Sequence, residues 1–234
     1  MRYLGIETSE DTSSVALAID GEVVAEDIFN SRQVLCDELV PRILVLCGDT
    51  LALDGIAVSS GPGSFTGLRI GVATAKALCH VLRVPLQPVP TQHVYALCAA
   101  PCAAGPERLI GVIQRARVGH CYAGLYSVGD GVTDCAPLRV RDCAPVRLVA
   151  YAEAFDIVAG ACVLTGNGLE AVAEADERLT GLPRARPPAD TPRASAVLAL
   201  ARYPEAFDFD RLAAVKPTYL QPSQAERTHG VEVE

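Results

Sequence analysis

Apolar positions along the chain fall into short blocks separated by Gly, Pro, Asp and Ser, and the blocks read as two successions of strands and helices. Tyr3–Glu7, Val15–Asp20 and Glu22–Phe29 have the length and apolar content of strands. Asp20-Gly21 is a two-residue hairpin turn, and the polar stretch Thr8–Ser14 suits a tight connection. Gln33–Cys47 carries a helical period twice over. Leu35, Leu39, Ile43 and Leu46 form one stripe, and Cys36, Val40, Leu44 and Cys47 form a second beside it. Pro41 inside this segment is expected to bend or break the helix, and Gly48 is a natural C-cap.

The next blocks continue the alternation. Gly55–Ser59 reads as a buried strand, Gly67–Leu82 as a long helix, Leu86–Val89 as a strand and Thr91–Ala100 as a helix. On the long helix the polar residues Arg69, Lys76 and His80 fall on one line with Ala73, and almost everything else is apolar. Two neighbouring helices with such wide apolar faces have two explanations: both are covered by their own sheet, or they form a surface for a partner. Ala99–Pro106, rich in Ala, Pro and Gly, looks like a linker and divides the chain into residues 1–104 and 105–234. A second strand-rich pattern follows at Leu109–Gln114, Cys121–Val128 and Pro137–Val140, with Val146–Phe155 ambiguous. Ala161–Thr165 is a buried strand that ends in Gly166-Asn167-Gly168, and a helix runs on to about Leu179. Leu182–Pro192 reads as exposed, Ser195–Tyr203 as a final helix expected to pack back on the first half, and the polar tail from about Gln221 as frayed.

Composition narrows the function classes. The 234 residues are 50% hydrophobic, enough for a large core, but no apolar run approaches the ~20 residues of a membrane span. The formal charge is −8, and only Lys76 and Lys216 among the 20 basic residues are lysines. With no basic block, direct binding of nucleic acid or of an anionic membrane is disfavoured. The nine cysteines are odd in number and contain no CxxC pair, which points to free thiols in a reducing, cytoplasmic compartment.

The segment richest in chemistry is Ser59–Lys76, SSGPGSFTGLRIGVATAK. A glycine-rich turn between a strand and a helix can present backbone N–H groups to an anion. Gly61, Gly63 and Gly67 allow close approach, and Ser64 and Thr66 can cap the helix. Leu68 stands where a P-loop needs lysine. The turn Glu7-Thr8-Ser9 and the second glycine turn, with Gly166 and Gly168, would face this loop in a two-lobed nucleotide site, whereas a capped turn with no ligand explains the loop equally well. No acid cluster for Mg²⁺ is evident. The four histidines are scattered, no GxSxG or HExxH is present, and no catalytic set can be named.

The segments IETSEDTSSVALAIDGEVV, SGPGSFTGLRIGVATAKAL, VPLQPVPT and VKPTYLQP together resemble the bacterial TsaB (YeaZ) family of tRNA threonylcarbamoyladenosine (t6A) biosynthesis. The resemblance is strong over residues 1–100. It implies an α/β, actin-like (ASKHA, ribonuclease H-like) fold with two βββαβα-type lobes. It also implies a non-catalytic subunit that binds a TsaD-type catalytic subunit, in an assembly with a TsaE-type ATPase. That assembly transfers threonylcarbamoyl from threonylcarbamoyl-AMP to N6 of adenosine 37 in tRNAs reading ANN codons. ATP or ADP and a metal would sit on the partner subunits, contact with tRNA would be indirect, and the chain alone would form a homodimer.

Carried onto this sequence, the resemblance makes Glu7, Thr8, Ser9, Gly61, Gly63, Ser64, Thr66, Gly166 and Gly168 a vestigial phosphate site. It places partner contacts on Leu35, Leu39 and Ile43 of the first helix and on Arg69, Val72, Ala73, Lys76 and His80 of the second. Departures are Glu7 where relatives usually carry Asp, Asn30-Ser31-Arg32 in place of His-Ser-Glu, and Gln114-Arg115-Ala116-Arg117 in place of an Asp-Ala-Arg opening. The alternatives are a stand-alone actin-like ATPase or kinase and, less supported, an M22-type glycoprotease.

Overall fold

The computed structural model describes residues 1–48, 51–105, 108–129, 139–203 and 206–221. Strand β1 (Arg2–Glu7) is the centre of the first sheet. It pairs antiparallel with β2 (Thr12–Ile19) and parallel with β4 (Gly55–Ser59). β3 (Glu22–Asn30) and β5 (Leu86–Val89) form the edges, giving the order β3-β2-β1-β4-β5. Asp20 and Gly21 both have positive φ, 51° and 90°, the twist that a two-residue hairpin needs. β1, β2 and β4 are buried almost throughout, and their Leu4, Ile6, Val15, Ile56 and Val58 form the core beneath two helices.

Those helices are α1 (Leu35–Cys47) and α2 (Phe65–Leu82). α1 starts two residues later than its period suggests, since Val34 and Leu35 still turn back to Ser31 O. Pro41 lies inside α1 without ending it. α2 starts two residues earlier than expected, because Ser64 rather than Thr66 is its cap: Ser64 Oγ accepts from Gly67 N at 3.2 Å. Arg83, left-handed at φ 56°, closes the helix.

The second sheet repeats the wiring. β6 (Leu109–Arg115), β7 (His120–Val128), β8 (Val140–Ala150) and β9 (Val163–Thr165) take the order β8-β7-β6-β9, with β9 parallel to β6. Helix α4 (Ala154–Val158) precedes β9 and α5 (Leu169–Ala175) follows it. Each sheet is thus three antiparallel strands followed by a parallel fourth, which is the actin-like arrangement.

The strand expected at Pro137–Val140 begins outside the described residues, and the ambiguous stretch after it is mostly β8. The helix expected to reach Leu179 stops at Ala175, where Asp176 turns extended and caps a short 3-10 turn. The tail after Gln221 lies outside the described residues.

Two helices tie the halves together. α3 (Thr91–Ala99) sends Tyr95, Ala96 and Ala99 into the second sheet's core, while its Val94 packs with Ala57 and Val89 of the first. α6 (Ala194–Leu200) lies against β1 and β2, where Ala194 N donates to Ser14 Oγ at 2.9 Å. The 104/105 division drawn from linker composition falls after α3, a helix that belongs to both cores. α7 (Phe209–Ala214), which the sequence pattern did not announce, rests on α2 through Leu212.

Candidate functional site

The β1–β2 turn and the loop before α2 are built into each other. Ser64 N donates to Ser9 O at 2.7 Å, and Thr8 Oγ1 donates to Gly67 O at 2.9 Å. The glycines are required by this contact. A Cβ on Gly67 would stand 2.0 Å from Thr8 O, and one on Gly63 would stand 2.6 Å from Ser9 O. Gly61 is fixed by Thr91: its N–H donates to Thr91 Oγ1 at 3.1 Å, and its carbonyl accepts from Thr91 N at 2.9 Å. The side chain of Thr66 is exposed and lines a hollow of about 190 Å³ with Glu10, Arg32 and Cys36.

The second half closes over the same place. Gln114 Nε2 donates to Glu10 Oε1 at 3.1 Å and to Pro62 O at 3.2 Å. Asn167 Nδ2 donates to Glu10 Oε2, while Asn167 Oδ1 accepts from Arg115 N at 2.7 Å. Gly166, at φ 112°, and Gly168 permit this approach: a Cβ on either would meet the backbone of Ile113 or Gln114 at 2.8 Å or less. The three turns singled out in the sequence therefore meet at the boundary of the lobes. Glu10, Gln114 and Asn167, which complete the junction, carry no local pattern beyond the placement of Asn167 between two glycines.

Electrostatics at the junction are set chiefly by burial. Burial raises the pKa of the Glu7 carboxyl against the opposing pull of Ser9 and Ser59, and Ser9 N donates to its Oε1 at 2.7 Å. Glu10 is pushed up to about 7, chiefly by burial and further by the charges of Glu7 and Asp11, against the bond from Gln114. Tyr95 beside them is raised by burial and then by Glu10. Glu7 Oε2, Ser9 Oγ, Gln114 Oε1 and Thr165 Oγ1 are buried oxygens without a hydrogen-bond partner among the described residues.

An actin-like fold implies a nucleotide with Mg²⁺ between its lobes, and the groups here do not fit a triphosphate. Carboxyls and other acceptors line the junction, the Ser64 amide is already bonded, and the turn opposite fills the space beside the loop glycines. Among the described residues no group of three or more His, Cys, Asp or Glu could hold a metal ion. The described cysteines are all free.

The second candidate region is the outer face of α1 and α2, and here the sequence expectation needs correction. Leu35, Leu39, Ile43 and Val72 are buried in the chain's own core, with Leu39 1% exposed, so they are not contact residues for a partner. The two stripes of α1 have different surroundings. The first stripe is covered by the sheet. The second is exposed at Cys36, Val40 and Leu44 and is joined there by Val45 at 87%, while its last member, Cys47, is buried in the core.

On α2 the exposed apolar line is Ala73, Ala77 and Val81. Arg69, Lys76 and His80 on its flank are engaged by the chain's C-terminal segment. Arg69 Nε donates to the Tyr219 hydroxyl at 3.0 Å, Lys76 Nζ donates to Ala213 O and Val215 O, and His80 meets the Phe209 ring edge-on. Lys76 thus neutralises the last carbonyls of α7. No helix among the described residues is long and apolar enough to cross a membrane.

Comparison with known proteins places this architecture. Residues 20–175, well over half of the chain, match the family described as TsaD: tRNA N6-adenosine threonylcarbamoyltransferase. The chain is 34% identical over 140 residues to the tRNA threonylcarbamoyladenosine biosynthesis protein TsaB of Bacillus subtilis (strain 168), covering 57% of this chain and 58% of that protein. It is 36% identical over 135 residues to the protein of the same description in Escherichia coli (strain K12), covering 54% and 55%. The matches thus span little more than half the length of these curated relatives. In fold it is similar to a crystal structure from Pseudomonas aeruginosa described as an uncharacterized protein with similarity to peptidase YEAZ. That likeness has a TM-score of 0.74 at 22% identity and covers 94% of this chain and 99% of the other. The TsaB (YeaZ) resemblance read from the sequence agrees with these relatives, and the chain belongs to the tRNA N6-adenosine threonylcarbamoyltransferase (TsaD) family.

Proposed function

We propose that the chain is a non-catalytic subunit in t6A biosynthesis. It docks on a TsaD-type catalytic subunit through the exposed strip of α1 and α2, in a cytoplasmic assembly that a TsaE-type ATPase completes. The assembly transfers threonylcarbamoyl from threonylcarbamoyl-AMP to N6 of adenosine 37 in tRNAs reading ANN codons. Alone, the chain pairs with a second copy through the same strip, so that the catalytic partner and the second copy compete for it.

The observation that carries the reading is the strip itself. Val40, Leu44 and Val45 on one helix and Ala73, Ala77 and Val81 on its neighbour leave apolar side chains in water beside a core already filled by Leu39, Ile43 and Val72. The interlobe junction supports the non-catalytic part, because Gln114 and Asn167 both bond Glu10 across it and the turn opposite fills the space beside the loop glycines. The test is to mix the purified chain with its cognate TsaD-type subunit. A new, larger species on size exclusion and t6A formation that depends on both proteins are the expected results. If the elution and the t6A yield are the same with and without this chain, the reading is wrong.

A further inference from the structure

The exposed strip of α1 and α2 does not run out onto flat surface. At its N-terminal end the starts of the two helices and the β1–β2 turn enclose the hollow of about 190 Å³. Cys36, the first exposed member of the α1 strip, lines that hollow. On α2 it is lined by the exposed Thr66 and by Ile70, which lies one turn before Ala73 on the same face. A partner seated on the strip therefore reaches the rim of the hollow and closes it off from water.

The walls are of two kinds. Leu35 and Ile70 are apolar, whereas Glu10 and Asp11 bring carboxyl groups. Asp11 is held through its backbone, whose carbonyl accepts from Ser31 N at 2.8 Å and from Ser31 Oγ at 3.0 Å. Its carboxylate makes no hydrogen bond or ion pair among the described residues. Arg32 lines the same hollow, is exposed, and likewise forms no ion pair among the described residues. The hollow thus sets two carboxyl groups against one guanidinium. Open to water, that imbalance costs little. Closed under a partner, a carboxylate with no cation would be desolvated, and the complex would lose affinity for it. Acid beside apolar wall is the complement of lysine or arginine, whose methylene stem lies on the apolar part while the head reaches the acid.

We propose that this hollow receives a lysine or arginine side chain of the TsaD-type subunit when that subunit docks on the strip. The inference rests on the docking reading and adds the chemistry of one contact to it. A second copy of the chain is a poorer source of the cation. Arg42 is paired with Asp27 and Glu38, and Lys76 is held by the carbonyls of Ala213 and Val215. Arg69 bonds the Tyr219 hydroxyl, and Arg83 lies over the Phe207 ring at 5.2 Å. The cations that α1 and α2 carry are therefore engaged within their own chain, and the hollow is left for a different one.

The test is calorimetric titration of the full chain into its cognate TsaD-type subunit. Asp11→Asn keeps the shape of the side chain and removes its charge, and it weakens the complex by about ten-fold. Asp11→Glu keeps the charge and holds affinity within about three-fold. Arg32→Gln removes the competing cation, so that variant binds at least as tightly as the parent. Glu170→Gln makes the same change in net charge as Asp11→Asn on the exposed face of α5 and leaves affinity within about two-fold. Thermal melts of Asp11→Asn match the parent, because the carboxylate has no partner in the isolated chain to lose. A complex that forms with the same affinity for Asp11→Asn as for the parent overturns this inference and leaves the docking reading standing. The opposite signs, tighter binding by Asp11→Asn and weaker binding by Arg32→Gln, overturn it as well, since they mean an anionic occupant. Equal losses for Asp11→Asn and Glu170→Gln overturn it by reducing the effect to net charge. Absence of any complex overturns the docking reading and this inference together.

Discussion

Glu10 holds three groups that come together only in the folded chain: the amide of Gln114, the amide of Asn167 and the phenol of Tyr95. Burial dominates, and the carboxyl is pushed up to about 7 from near 4.5. The sign of the resulting pH dependence follows from proton binding. Between these two values the folded chain holds a proton that the unfolded chain has released. Glu10 therefore contributes stability that is fully present below about pH 4.5 and is lost as pH rises through about 7. Glu10→Gln keeps one acceptor oxygen, for one of the two donors, and removes the titration. The expected outcome is a variant that melts a few degrees higher than the parent, roughly 2–6 °C, at pH 8 and no higher at pH 5, read from thermal melts across that range. Glu7, also raised by burial, leaves some slope in both proteins. Identical profiles for variant and parent would show that Glu10 does not carry the effect.

At the scale of elements, the division of α1 and α2 into a buried and an exposed stripe separates stability from docking. Leu39→Ala removes a side chain that is 1% exposed and should cost about 2–5 kcal/mol of stability. Val40→Glu, one residue further round the helix, changes a side chain that is 42% exposed, and its effect on the isolated fold should stay within about 0.5 kcal/mol. In a complex the added carboxylate would be buried without a partner, so association should weaken by at least about ten-fold. Equilibrium sedimentation of the chain alone and of the mixture with its cognate transferase checks this, and unchanged association would exclude this face.

The same two stripes show what could be read in the sequence. Helical period placed both, and the bounds of β4 and β5 follow from the pattern alone, because buried strands flanked by Gly and Pro are unambiguous. Which stripe meets the sheet is a tertiary fact, and Leu35, Leu39, Ile43 and Val72 were accordingly placed on the wrong side. β8 was hidden for a different reason. It is an edge strand with Arg141, Asp142, Pro145 and Arg147, whose charges and proline blunt an edge and erase the alternation. α7 was missed because only Leu212 of its six residues is buried, too few for a period.

For the whole molecule, the chain order of the halves is less informative than the two helices they share. α3 contributes to both cores, and α6 returns from the end of the chain to cover the first sheet. Gly5 in β1 is the point of closest approach: a Cβ there would lie 2.6 Å from Ala194 O and 2.8 Å from Leu198 Cγ. Gly5→Ala would therefore push α6 off the sheet, at roughly 1–3 kcal/mol. α6 also packs beside α3 over Ala57, Val89 and Val94, so the disturbance reaches the helix that Tyr95 anchors in the second lobe. Were the lobes independent, the penalty would stay in the first sheet. Because they share α3, native-state hydrogen exchange should show slowly exchanging amides of β4 and of β6 losing protection together, by the same free energy, about 1–3 kcal/mol. Loss confined to β1, β2 and β4, with β6 and β9 unchanged, would mean that the lobes unfold separately. The Glu10 junction would then be a contact between two independent bodies and not the seam of one cooperative unit.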